Sequence, residues 1–79
     1  YPNPFNPETK IRFSIPNQGV VELKIFDING KEVEVLFNRP LKSGTYEYSW
    51  NASNFPSGVY LYKLSSDKFS ITKKMVLVK

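Results

Sequence analysis

The 79-residue sequence contains no cysteine and no histidine. The lack of cysteine excludes disulfides and thiolate metal sites, so the fold relies on packing and hydrogen bonds. The lack of histidine removes the most common general base and metal ligand. No run of apolar residues is longer than four, which excludes a membrane-spanning helix. A chain of this length forms one domain and buries only about 60% of its unfolded surface.

Carboxylates are too dispersed to predict a catalytic or metal site. Most occupy outward positions of alternating segments, where solubility alone accounts for them. Residues 27–30 have a loose similarity to a calcium loop, but its other carboxylates and its closing glutamate are missing. Because a domain this small also has little room for a concave pocket, we predict no catalytic residues, no metal and no cofactor. The seven acids are Glu8, Glu22, Asp27, Glu32, Glu34, Glu47 and Asp67.

Apolar and polar residues alternate with a period of two through most of the sequence, as half-buried strands require. No window has the 3.6-residue period of an amphipathic helix. Six alternating segments separated by turn residues predict an all-β sandwich or barrel. A seventh strand is expected from the proline-rich start or from a division of the last segment. The six segments are residues 10–15, 21–25, 33–37, 45–50, 59–64 and 69–78.

Three local features predict how these strands are connected. Asn29-Gly30 is the strongest hairpin signal, because both residue types tolerate the positive φ of a type I′ turn. Residues 38–44 include Pro40 and predict a longer connection that crosses from one sheet to the other. Lys73 interrupts the apolar face of the last segment, which predicts either a bulge or an inward-pointing charge.

The first seven residues differ from the rest of the chain. Their prolines fix φ and remove three backbone donors, so neither helix nor central strand is expected. Each residue before a proline is also driven to extended geometry. We predict that residues 1–9 form a stiff ribbon joining a preceding tether to a sandwich at residues 10–79. The seven residues are Tyr1, Pro2, Asn3, Pro4, Phe5, Asn6 and Pro7.

Aromatic residues are concentrated on two predicted strands. Tyr46, Tyr48 and Trp50 share one face of a strand, and Tyr60 and Tyr62 share one face of another. An exposed set of this kind would form a stacking platform for sugars or single-stranded nucleic acid. Aromatic residues on one face of a small sandwich are more often its core, and we favour that interpretation.

The end of the sequence is basic and apolar. As structure, it is a terminal strand whose lysines protect an exposed edge. As function, it is a peptide address that a receptor reads through strand pairing and contacts to the lysines. Local chemistry leaves both interpretations open, with the structural one ahead. The seven residues are Lys73, Lys74, Met75, Val76, Leu77, Val78 and Lys79.

Five blocks of the sequence, taken in order, resemble the type A C-terminal sorting domains of the bacterial type IX secretion system, also called the Por secretion system. The resemblance covers the whole chain. Related immunoglobulin-like repeats, such as that of the flagellar hook-capping protein, share its central part. The blocks are Tyr-Pro-Asn-Pro-Phe-Asn-Pro at residues 1–7, the hairpin region at 21–33, Gly-Thr-Tyr with Trp50 at 44–50, Pro-Ser-Gly-Val-Tyr at 56–60 and Lys-Met-Val-Leu-Val-Lys at 74–79.

The resemblance implies a small immunoglobulin-like antiparallel β-sandwich of six to seven strands at the C-terminus of a longer secreted protein. It implies passage through the periplasm, recognition by an outer-membrane translocon and delivery of an upstream cargo to the surface or medium of a Gram-negative bacterium. It also implies a sortase-like cysteine protease that removes the domain in some members. Residues 73–79 would be the recognition strand and residues 1–7 the opening motif. The implied scaffold residues are Asn29, Gly30, Gly58 and Tyr60.

Two other functions compete with sorting. A carbohydrate-binding or adhesive module would use the aromatic residues as a platform, and a spacer would need no recognition surface. Nucleic-acid binding is not expected, because a net charge of +4 provides too few phosphate contacts. We also expect no transmembrane segment.

Overall fold

The computed structural model describes residues 8–78, which form six antiparallel strands and no helix. β1 and β4 make a two-stranded sheet, and the other strands make a sheet of order β3-β2-β5-β6. The two sheets pack face to face, which confirms the predicted small immunoglobulin-like sandwich. The strands are β1 (Glu8–Ile15), β2 (Gly19–Asp27), β3 (Glu32–Leu41), β4 (Gly44–Asn51), β5 (Gly58–Ser65) and β6 (Ser70–Leu77).

The described residues contain no seventh strand. The last segment forms one strand, Ser70–Leu77, and its register with β5 has no shift, so it is not divided. Residues 1–7, the other predicted source, lie outside the described residues. β1 begins at Glu8, ahead of the alternating segment that starts at residue 10.

The core lies between the inward faces of the two sheets. Val21, Leu23 and Ile25 of β2 are each 0% exposed. Ile11 of β1 and Trp50 of β4 cover them from the smaller sheet, and each is 2% exposed. Because alternate residues of each strand reach this layer, the period-two pattern of the sequence corresponds to its inner and outer faces.

Aromatic side chains belong to this core. The ring of Trp50 lies 5.6 Å from that of Tyr60 at an interplanar angle of 71°. Its Nε1 donates a hydrogen bond to Oε1 of Glu34 at 3.0 Å. The hydroxyl of Tyr48 donates to the carbonyl oxygen of Leu36 at 3.1 Å. The core interpretation of these aromatic residues is therefore confirmed, and the largest rings are not available for stacking.

The β2–β3 hairpin forms at the predicted position but with a different turn. No residue other than glycine has a positive φ within residues 8–78, so Asn29 does not adopt the type I′ geometry, and that prediction is wrong. Gly30 has φ of 86°, and its amide donates to the carbonyl oxygen of Asp27 at 3.0 Å. The amide of Asp27 in turn donates to the carbonyl oxygen of Lys31 at 2.9 Å. This is a three-residue loop that ends in a glycine bulge.

The predicted long connection at residues 38–44 is wrong in its extent. β3 continues to Leu41, and Pro40 pairs opposite Val20. Proline is tolerated because β3 is an edge strand, where the missing amide hydrogen has no neighbouring strand to bond. Only Lys42 and Ser43 separate β3 from β4, and they carry the chain from one sheet to the other as predicted.

Candidate functional site

The terminal strand β6 forms one edge of the four-stranded sheet. It pairs with β5 from Ser70 opposite Ser65 to Leu77 opposite Gly58. No strand within residues 8–78 pairs with its other side. Because alternate residues of an edge strand direct their amide and carbonyl groups away from the sheet, β6 presents a row of unpaired backbone groups.

Only the C-terminal part of β6 is anchored in the core. Leu77 is 5% exposed and Met75 is partly buried against the core. Val76 is 64% exposed and Val78 is 77% exposed. Alternation therefore places one pair of side chains against the core and the other pair on the outer face, where they form an apolar surface.

Two lysines next to these valines have uncompensated charges. Lys73 and Lys74 are exposed, and neither belongs to an ion pair of the described residues. Lys24 of β2 differs, since its Nζ lies 3.1 Å from Oε1 of Glu32 and 3.5 Å from Oε1 of Glu22. The hydrogen bond to Glu32 and the charges of both carboxylates raise the pKa of Lys24. Lys73 and Lys74 thus add two adjacent positive charges to the free edge of this sheet, and no carboxylate of the described residues is paired with them.

β6 has no bulge at Lys73. Its register with β5 is continuous and places Lys73 opposite Tyr62. Of the two predicted outcomes, the bulge is wrong, and Lys73 lies on the inner face together with Met75. Its side chain is nevertheless exposed, because the smaller sheet does not cover this part of β6. Ile71, on the same face, is 43% exposed for the same reason.

The scaffold residues of β5 hold β6 from its paired side. Gly58 begins β5 with φ of 152°, a backbone geometry that L side chains rarely adopt. Tyr60 pairs opposite Met75 and is 5% exposed. Its hydroxyl donates to the carbonyl oxygen of Pro56 at 2.7 Å. The buried ring and this hydrogen bond fix the part of β5 on which the end of β6 rests.

Register brings the predicted scaffold and the recognition residues together. Asp27 of β2 pairs opposite Tyr60 of β5, and Tyr60 pairs opposite Met75 of β6. The β2–β3 hairpin, the start of β5 and the end of β6 therefore share one end of the sheet. Sequence reasoning missed Asp27, whose Oδ1 accepts hydrogen bonds from the amides of Asn29 and Lys31, each at 2.9 Å. The aspartate at the start of the turn is the local signal for this Asx arrangement.

The exposed features of the described residues that bear on function lie along β6. No group of three or more histidine, cysteine or acidic side chains within residues 8–78 is placed to hold a metal ion. The same residues include no helix long and apolar enough to cross a membrane. What the site provides is an open strand edge, two uncompensated lysines and two exposed valines.

Comparison with known protein families identifies the chain. The family described as the secretion system C-terminal sorting domain matches residues 1–79, the full length of the sequence. The chain belongs to this family. It is a C-terminal sorting signal for type IX secretion, as the resemblance implied. No curated protein and no solved structure gave a match.

The sorting domain acts with the type IX secretion machinery, which exports proteins to the cell surface or secretes them in Gram-negative bacteria. The domains of this family act as sorting signals, and the family is not a catalytic one. Residues 73–78 of the predicted recognition strand lie on or directly after β6. Lys79 and the opening motif at residues 1–7 lie outside the described residues.

β1 of the sorting domain starts at the end of the sandwich where β6 finishes. Thr9, the second residue of β1, pairs opposite Trp50. Trp50 contacts Tyr60, which pairs opposite Met75. The first described residues thus lie at the end of the domain that carries the last residues of β6.

Proposed function

We propose that the type IX machinery recognises this sorting domain through residues 73–79. In this proposal a receptor strand pairs with the open edge of β6, and receptor carboxylates contact Lys73 and Lys74. The observation that carries the proposal is that β6 is an edge strand with uncompensated charges, held on a well-packed core.

Strand pairing and lysine contacts have separate roles in such a complex. Hydrogen bonds to the backbone of β6 supply affinity that does not depend on its side chains. The lysines and the exposed Val76 supply specificity, because a receptor must offer acidic groups and an apolar surface at matching positions. Opposite charges also increase the rate of association.

A self-contained core suits a signal that is attached to different proteins. The buried side chains come from all six strands, between Ile11 and Leu77. The shape of the β6 edge is therefore fixed within the domain itself. A receptor that accepts unrelated cargo proteins needs a signal whose structure does not change with the cargo.

The proposal includes three partners of the domain: the cargo protein, the translocon and a protease. The domain follows a cargo protein, reaches the periplasm and there meets an outer-membrane translocon. Residues 1–7 precede β1 in the sequence, and the cargo is joined through them. Since this junction leads to the end of the sandwich that carries the end of β6, the receptor lies close to it. A sortase-like cysteine protease then cuts near Tyr1.

Charge reversal on β6 tests the proposal without removing the fold. A secreted reporter fused to the chain is given the double substitution Lys73→Glu and Lys74→Glu. We expect the reporter to accumulate in the periplasm, because the receptor's carboxylates would then face like charges. Cell fractionation and immunoblotting measure the distribution.

A second fusion serves as the matched control. It carries Lys10→Glu and Lys42→Glu, which change the net charge equally but lie on β1 and in the β3–β4 connection. We expect normal export of this fusion. Export of both fusions would show that the β6 lysines are not recognised. Retention of both fusions would show that export depends on net charge and not on these two lysines.

A further inference from the structure

The two sheets differ by two strands, and this difference leaves a groove. β1 pairs with β4 on one side, and no strand of the described residues pairs with its other side. That open side faces the inner surface of β6 across a groove of about 310 Å³. Phe13 and Ser14 of β1 form one wall, Ile71 and Lys73 of β6 form the other, and Tyr62 and Leu64 of β5 form the floor.

The groove combines apolar surface with positive charge. Ile71 is 43% exposed although it lies on the inner face of its strand. The charged residues that line the groove are Arg12 and Lys73, and no acid lines it. Arg12 is compensated, because its Nε donates to Oε2 of Glu47 at 2.7 Å. Lys73 has no ion-pair partner within residues 8–78, so its charge is the one available to a ligand.

The open edge of β1 determines what kind of ligand fits. About half of the residues of an edge strand direct their amide and carbonyl groups outward, away from the paired strand. Only another extended backbone satisfies such a row in register. The side chains of that backbone would alternate between the groove and solvent.

We propose that the groove between β1 and β6 binds an extended, acidic segment of a partner protein, which adds to β1 as a third strand of the smaller sheet. Its inward-facing apolar side chains cover Ile71 and Tyr62. An inward-facing carboxylate pairs with Lys73. The added strand gives this side of the sandwich the cover that β1 and β4 leave incomplete.

This site uses a different strand edge from the receptor site proposed above. The added strand pairs with β1, whereas the receptor strand of the sorting proposal pairs with β6. Lys73 belongs to both sites, whereas Lys74 faces outward and belongs to the receptor site alone. Binding to the groove can be measured on the isolated 79-residue chain, with no secretion machinery present.

The test uses two synthetic eight-residue peptides and the full chain. Both peptides alternate valine with threonine, and one valine position is replaced by glutamate in the first peptide and by lysine in the second. We expect the glutamate peptide to bind about tenfold more tightly than the lysine peptide in a calorimetric titration. Hydrogen exchange followed by NMR should show new protection of alternate amides in β1.

Two variants of the chain provide the matched comparison. Lys73→Glu should weaken binding of the glutamate peptide about tenfold. Lys74→Glu, the same change on the next residue but on the outer face, should leave the affinity within about twofold. Both side chains are exposed, so both variants should keep the fold of the parent chain.

Three results would overturn the proposal. The first is the absence of binding by either peptide at millimolar concentration. The second is new amide protection in β3 or β6 instead of β1, which would place the peptide at another edge. The third is an equal effect of Lys73→Glu and Lys74→Glu, which would indicate attraction to net charge alone.

Discussion

β2 and β6 belong to the same sheet and pair with the same strand, β5, yet they differ in almost every other respect. β2 has a neighbour on both sides, and its inward residues Val21, Leu23 and Ile25 are 0% exposed. β6 has one neighbour and one free edge, and of its residues only Leu77 is fully buried. The inner face of β2 is apolar throughout its centre, whereas the inner face of β6 carries Lys73 between Ile71 and Met75, so the difference arises from both sequence and position in the sheet.

Under the proposed function, stability and recognition are assigned to different strands. A central strand loses packing when its side chains change, because no water can replace the lost contacts. An edge strand can change its outward side chains at little cost to the fold. A sorting signal on β6 can therefore be specific for its receptor while β2 keeps the domain folded.

The largest effect is expected for Leu23→Ala in β2. Removing a fully buried leucine side chain should lower the free energy of unfolding by about 3 kcal/mol. A domain of this size is stable by only about 4–12 kcal/mol, so the variant should be close to unfolding. Urea denaturation followed by tryptophan fluorescence measures the change.

Val76→Ala in β6 is the control for this measurement. Its side chain is mostly exposed, and we expect a change of less than about 0.5 kcal/mol. Equal destabilisation by Leu23→Ala and Val76→Ala would contradict the division between a structural strand and a recognition strand.

An intermediate effect is expected for Leu77→Ala, which removes the one fully buried anchor of β6. The loss should be about 2 kcal/mol, at the lower limit for buried leucines, because the end of an edge strand can relax. The loss should also be local. Hydrogen exchange should accelerate at residues 74–77 of β6 while the amides of β2 stay protected. Uniform acceleration in both strands would show that β6 is part of the same cooperative unit as the core.

The smallest effect on stability is expected from the ion pair between Arg12 and Glu47, in the sheet formed by β1 and β4. The hydrogen bond from Arg12 lowers the pKa of Glu47 below its ordinary value. A lowered carboxyl pKa contributes stability that is present above the ordinary pKa and is lost as pH falls through the lowered one. Because both side chains are largely exposed, this contribution is small.

The pH dependence can be assigned to this pair by substitution. In Glu47→Gln, the melting temperature should be slightly lower at pH 7 and should fall less than that of the parent chain between pH 5 and pH 3. Hydrogen exchange in β6 should not follow this change, since no ion pair of the described residues involves that strand. An unchanged difference between the two proteins across this pH range would contradict the assignment.

Local patterns in the sequence were sufficient to predict the strands, because alternate residues of a strand face the inner layer whichever partner the strand has. The position of the β2–β3 turn was predicted correctly, but its type was not. Asn29-Gly30 is compatible with several loops, and the choice depends on hydrogen bonds to the carboxylate of Asp27. The connection predicted at residues 38–44 was too long, because Pro40 lies on an edge strand and edge position cannot be recognised from local composition.

The assignment of residues 73–79 as the recognition strand rests on resemblance to a known signal and stays a prediction. The geometry of that strand was not predictable from the sequence. Its free edge depends on the order β3-β2-β5-β6, which is a set of long-range pairings. The exposure of Lys73 depends on a further long-range fact, namely that the sheet formed by β1 and β4 leaves Ile71 and its neighbours uncovered.

The most direct test of the account compares the two edges of the larger sheet in living cells. A photoreactive p-benzoylphenylalanine replaces either Val76 on β6 or Val35 on β3 in a secreted fusion, two exposed valines on opposite edges. The account predicts cross-linking to an outer-membrane component of the type IX machinery from position 76 and not from position 35. Cross-linking from position 35 alone, or equally from both, would contradict recognition through β6.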